Sequence, residues 1–295
     1  MKTLKITYIL AATFALAGLS ACNKFLDTTP DNRATVDSEE KVISLLGSAY
    51  SENDHILIAE FYSDNVDNYG IQYTGTSRFF DSIYEWSELE ESNNESTERI
   101  WGSYYSAIAS ANQAIIAIDG LGGPETSTAL SQALGEAYLC RAYSHFILVN
   151  MFCLQYNKQT SSTDLGIPYM TKPETTLAPH YERGNVADVY AQIGNDIETA
   201  VANSAYLGND KYFATADAVN MLKAEYGLWM YTTQNGGDSF LNLAPDALSA
   251  IGISSGKLLP KYSDVFSRDN KRNTEVVFAL MNNQQEKLTG GYYSY

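Results

Sequence analysis

Four stretches of this chain repeat their apolar residues at steps of three and four. That spacing leaves little freedom over fold class, because it draws one face of an amphipathic helix. Trp101, Tyr105, Ile108, Ala111, Ile115 and Ile118 keep such a face until Gly120-Leu121-Gly122-Gly123-Pro124 stops the run. Leu139, Ala142, Phe146, Val149 and Cys153 form a second stripe in a helix predicted over about residues 126–155. Val186, Val189, Ile193, Ile197 and Ala200 form a third, behind Asn185 as N-cap with Asp188 three positions on. Ala218, Leu222, Tyr226 and Trp229 mark a fourth over about 215–231, closed by Asn235-Gly236-Gly237-Asp238. A shorter run, Val42, Leu45, Leu46 and Ala49 behind Ser38, predicts a first helix over 38–52.

Only the β-branched run Val276-Val277-Phe278-Ala279-Leu280 offers a place for a strand. The expected fold is therefore all-α: a tetratricopeptide-like helix-turn-helix superhelix with long irregular loops, and alanines where helices approach closely. No full repeat consensus recurs at a fixed period. Residues 156–184, with Pro168, Pro173, Pro179 and Gly184 among many Ser and Thr, read as a surface connection.

The N-terminus specifies a compartment. Lys2 and Lys5 precede an apolar run from Ile6 to Leu19, the pattern of a signal peptide; a spanning helix needs about 20 apolar residues. Leu19-Ser20-Ala21-Cys22 resembles the lipobox of bacterial lipoproteins, which implies cleavage after residue 21 and a diacylglyceryl group on Cys22. Residues 22–37 then read as a lipidated leader and 38–295 as the helical domain. The formal net charge of −16 falls to about −18 once Lys2 and Lys5 are removed, a surface that repels nucleic acid and anionic membranes. Cys140 and Cys153 lie on one predicted helix, about 20 Å apart, too far for a disulfide.

Motifs for chemistry are weak. Gly252-Ile253-Ser254-Ser255-Gly256 satisfies G-x-S-x-G, but helix-like residues precede it and Pro260 follows, where a nucleophile elbow needs a strand and then a helix. His55, His145 and His180 fit no metal-binding spacing, and His145 falls in the core-rich third helix. Asp64, Asp67 and Asn68 lack the pattern of a calcium loop, since Val66 and Tyr69 stand where an oxygen ligand and glycine belong. The acidic run Glu88, Glu90, Glu91 and Glu95 reads as a solvated face rather than a glycosidase pair. No catalytic residue, metal or cofactor is expected.

Several segments, in order along nearly the whole chain, resemble the SusD/RagB-like nutrient-binding lipoproteins of gut and oral Bacteroidetes. Cys22-Asn-Lys-Phe-Leu-Asp-Thr-Thr-Pro30 is similar to the family's mature start, the run from Trp101 to Ile116 to its second helix, and the run from Gly135 to Phe152 to its most recognisable helix. Gly166-Ile-Pro-Tyr-Met170 resembles the loop that follows, and 254–278 the junction into the C-terminal half. Family members continue beyond that junction, so the resemblance implies that the C-terminal portion is missing here. It further implies an outer-membrane, cell-surface protein, held by its N-terminal lipid, that captures an oligosaccharide or other nutrient for a SusC-like TonB-dependent outer-membrane transporter without chemical change.

A sugar-binding surface needs flat rings for pyranose faces and polar groups for hydroxyls. Tyr62, Tyr69, Tyr73, Phe79, Phe80, Tyr84 and Trp86 concentrate rings outside the predicted stripes, in the segment where family members carry part of their ligand site. Trp86, Tyr84 and Tyr73 are the expected platforms, with Arg78 and Asn68 as hydrogen-bonding partners. The competing classes are a structural or adhesive surface lipoprotein without a small ligand and, behind it, a glycoside hydrolase.

Overall fold

The structure is a computed structural model that describes residues 35–52, 55–67, 79–89, 96–176, 179–210, 213–233 and 243–251. Its main compact unit is Asp37–Tyr295. Eight helices occur among the described residues: α1 (Glu39–Leu46), α2 (Ile56–Phe61), α3 (Phe79–Tyr84), α4 (Thr97–Gly120), α5 (Thr128–Phe152), α6 (Val186–Asn203), α7 (Ala216–Thr233) and α8 (Leu243–Ile251). The only β-type pairing among them is two isolated bridges, Leu165 with Asn185 and Gly208 with Thr215.

The helices begin where side chains can accept the orphaned N–H groups of a first turn. Ser38, Ser96, Ser127 and Asn185 each cap the helix that follows, accepting from Lys41, Arg99, Leu130 and Asp188 backbone N–H groups. The stop after α4 uses two glycines in the left-handed region, Gly122 at φ 101° and Gly123 at φ 93°. The short turn that follows sends α5 back along α4. From α4 onward, each long helix packs chiefly on its neighbour in sequence, in the manner of a tetratricopeptide stack. The fold is all-α, as the apolar spacing predicts.

Two features differ from the sequence reading. On α4 the deepest face is Ile100, Tyr104, Ala107, Ile108, Ala111 and Ala114, so Trp101 and Tyr105, assigned to the core stripe, are rotated to its half-buried edge. On α5 burial is not confined to one stripe: Glu136, Arg141, Ser144 and His145 are buried together with Leu139, Ala142 and Phe146. The reason is position, since α4 covers one side of α5 and α6 another. Cys153 lies past the helix end, as an extended C-cap, and both Cys140 and Cys153 are free thiols.

Polar groups inside the stack are paired; no buried side-chain N or O among the described residues lacks a partner. Tyr50 donates to Glu136 Oε1 at 2.5 Å and accepts from the Ala214 N–H at 3.1 Å, tying the end of the first helical segment to α5 and the entry of α7. Tyr190 donates to Asn150 Oδ1 at 2.6 Å, and the Trp229 indole donates to the Tyr190 hydroxyl at 2.9 Å, linking α5, α6 and α7.

Candidate functional site

The aromatic segment from Tyr62 to Trp86, expected as an irregular loop, follows directly on α2 and contains α3, and the two helices pack on each other. Phe61 and Phe80 stack at 4.5 Å and 28°, and Ile58 and Ile83 are buried beneath. Packing thus accounts for part of the aromatic supply. Trp86 is different: it is 75 % exposed, with its ring edge-on to Tyr62 at 4.9 Å and 62°.

Its backbone explains the outward position. At the end of α3 the Ser87 N–H donates to the Ser82 carbonyl at 2.9 Å, and the Trp86 N–H to the Ile83 carbonyl at 3.0 Å, the two bonds of a Schellman closure. That closure places Trp86 in the left-handed region, at φ 55°, where glycine is the usual occupant. A bulky residue there costs about 1–2 kcal/mol of local strain. A strained turn that presents a large indole to solvent is poorly explained by packing. Tyr84, the last residue of α3, is half-buried in the same turn. Tyr73, Arg78 and Asn68 lie outside the described residues, as do Cys22, the G-x-S-x-G sequence, the 276–280 run and all of the acidic run except the exposed Glu88.

A second aromatic region was not legible as such. Trp101 and Tyr105 on α4 line a cleft of about 320 Å³ together with Pro168, Met170, Lys172, Glu174 and Tyr181. Beneath it runs a buried polar cluster. Arg141 donates to Asp196 through Nε and Nη2, both at 2.7 Å, and to Asn112 Oδ1 through Nη1 at 2.8 Å, while its guanidinium lies 4.7 Å from the Tyr138 ring centroid. Asn112 donates to the Met170 carbonyl at 2.9 Å, Tyr169 to Asp196 Oδ2 at 2.6 Å, and Tyr105 to the Pro168 carbonyl at 2.8 Å.

His145 completes the cluster. Its Nδ1 lies 2.9 Å from the Arg141 carbonyl, which can only accept, and its Nε2 lies 3.1 Å from the Met170 N–H, which can only donate. These partners require the neutral ring with its proton on Nδ1. Burial lowers its pKa to about 3, so the ring is neither base nor acid near neutrality. Tyr169 stacks on it at 3.8 Å. The cluster therefore acts as a clamp that holds residues 166–170 against α4, α5 and α6. Among the described residues no group of three or more His, Cys, Asp or Glu side chains could hold a metal ion.

The described residues thus form an all-α stack of helical hairpins, with one indole held out on a strained turn and an aromatic cleft built on a buried clamp. The chain belongs to the SusD-like family described as starch-binding and associating with outer membrane, whose model matches residues 24–216. It is similar to a SusD-like protein of Bacteroides ovatus, 24% identical over 294 residues, covering 94% of this chain and 50% of that protein. Among solved structures it resembles a SusD superfamily protein from Bacteroides thetaiotaomicron (TM-score 0.62, 19% identity, 86% of this chain and 54% of that one). It also resembles surface glycan-binding protein A from Bacteroides fluxus (TM-score 0.57, 24% identity, 82% and 50%). The chain spans about half the length of the relatives it matches. No described helix is long and apolar enough to cross a membrane.

Proposed function

We propose that this chain is a lipid-anchored surface protein that binds an oligosaccharide and passes it, unaltered, to a SusC-like TonB-dependent outer-membrane transporter. Removal of residues 1–21 leaves Cys22 to carry the lipid, 22–37 serves as leader, and the helical domain begins at 38. The observation that carries the reading is Trp86: a 75 % exposed indole on a strained turn, in a chain whose family is described as starch-binding. Trp86 and Tyr84 stack on pyranose faces, and Tyr73, Arg78 and Asn68 complete the surface. The glycan-binding name of the similar Bacteroides fluxus protein supports the same substrate class.

The test is an affinity pull-down of the tagged chain from native outer membranes, with mass spectrometry of what accompanies it, and a glycan-binding screen of the eluate. Co-recovery of a large TonB-dependent barrel, with lipid on Cys22 and glycan binding weakened in Trp86→Gly, is the expected result. A lipoprotein recovered alone that binds no glycan would move the assignment to a structural or adhesive surface protein.

A further inference from the structure

The cleft that α4 forms with Pro168, Met170, Lys172, Glu174 and Tyr181 shares no residue with the Trp86 surface, and its construction is unlike that of an incidental surface groove. Its α4 wall is a stripe at helical spacing, Trp101, Tyr105, Ala109 and Asn112, with Gly102 at the rim. Three wall groups are locked: Tyr105 through its hydroxyl to the Pro168 carbonyl, Asn112 through Arg141 and the Met170 carbonyl, and Met170 through its N–H to His145. Trp101 is braced against the Phe152 ring, edge-on at 5.0 Å. A wall fixed by buried hydrogen bonds loses little entropy when a ligand lands on it.

The lining chemistry selects among ligands. Rings from Trp101, Tyr105 and Tyr181 supply flat apolar faces, while Lys172 and Glu174, both exposed, supply one donor group and one acceptor group at the mouth. One charge of each sign at the mouth favours a neutral molecule rich in hydroxyls over an anion or a cation. About 320 Å³ lies at the lower end of ligand-site volumes, enough for one or two sugar rings and too small for a folded partner.

We infer that this cleft is a second carbohydrate site, which takes a terminal neutral pyranose of a glycan, stacked on Trp101 and Tyr181 with its hydroxyls on Lys172 and Glu174. It rests on the carbohydrate-binding reading above but not on the Trp86 surface. A glycan held at both places would gain from effective concentration, because the second contact becomes intramolecular.

Gly102 allows a clean test, since it lines the cleft and a Cβ there would meet nothing within 4 Å. Maltoheptaose and a xyloglucan oligosaccharide are titrated calorimetrically into the full chain, Gly102→Trp, Tyr181→Ala and Trp86→Gly, with circular dichroism to check helix content. The expected result is a binding phase weakened at least tenfold by Gly102→Trp and by Tyr181→Ala, and still present in Trp86→Gly. If glycan binding depends on Trp86 and is unchanged in both cleft variants, the cleft assignment falls while the capture reading stands. If the wild-type chain binds neither probe, both fall. Should Gly102→Trp lose helix content, Tyr181→Ala decides, because Tyr181 lies at the cleft mouth outside every helix.

Discussion

Trp86 sits where the Schellman closure of α3 suits glycine, so replacing it tests packing against presentation in one substitution. If the indole were there to hold the turn down, Trp86→Gly would destabilise the chain. Release of left-handed strain predicts the opposite, a stability unchanged or raised by up to about 1 kcal/mol, read as a urea midpoint at constant slope. His145 carries a second prediction. Its folded pKa, near 3, lies below the ordinary 6.5, so the folded chain binds fewer protons there than the unfolded chain. The stability His145 contributes is present above about pH 6.5 and is lost as pH falls towards 3. The wild-type urea midpoint should drop more steeply across that window than that of His145→Gln; parallel curves would remove His145 as the cause. Glu136, whose pKa burial raises, acts with the opposite sign and costs stability as pH rises through its own titration.

At the level of elements, the junction of the 166–170 loop with α6 is the tightest described approach that a single methyl would break in this clamp. A Cβ on Gly166 would stand 2.8 Å from the Asn185 carbonyl oxygen and 2.8 Å from Val189 Cγ2. Gly166→Ala should therefore cost about 1–3 kcal/mol, visible as a lower melting temperature with helix content retained below it. Much of this level was legible beforehand. α6 buries the five apolar positions its spacing marks, and Ser38 and Asn185 begin helices because their side chains reach the backbone N–H groups of the first turn. α2 and α3 were not legible because six residues make under two turns, too few for a period to repeat. Nor was the clamp: Arg141 meets Asn112 across 29 positions and Asp196 across 55, and no local pattern encodes such pairings. The cleft was hidden for a related reason. Trp101 and Tyr105 match the helical period as well as Ile100 and Tyr104 do, and only the direction from which α5 approaches decides which pair goes inside.

For the whole molecule, family membership and the neighbour-on-neighbour packing of α4 to α8 describe a scaffold in which most burial is local, while a few polar contacts reach across it. The acidic balance, −16 over the full sequence, adds a surface that discourages contact with anionic polymers and leaves hydroxyl-rich neutral ligands unopposed. The Arg141–Asp196 pair then acquires a meaning in time. The α4–α5 hairpin can close as soon as both helices exist, but its guanidinium waits for a carboxylate 55 residues further along the chain. Until α6 packs on α5, the side of the guanidinium that meets Asp196 stays open to water, and only Asn112 holds it from within the hairpin. The pair is thus completed only when α6 closes over α5, so one ion pair joins the α4–α5 hairpin to the helix that follows it.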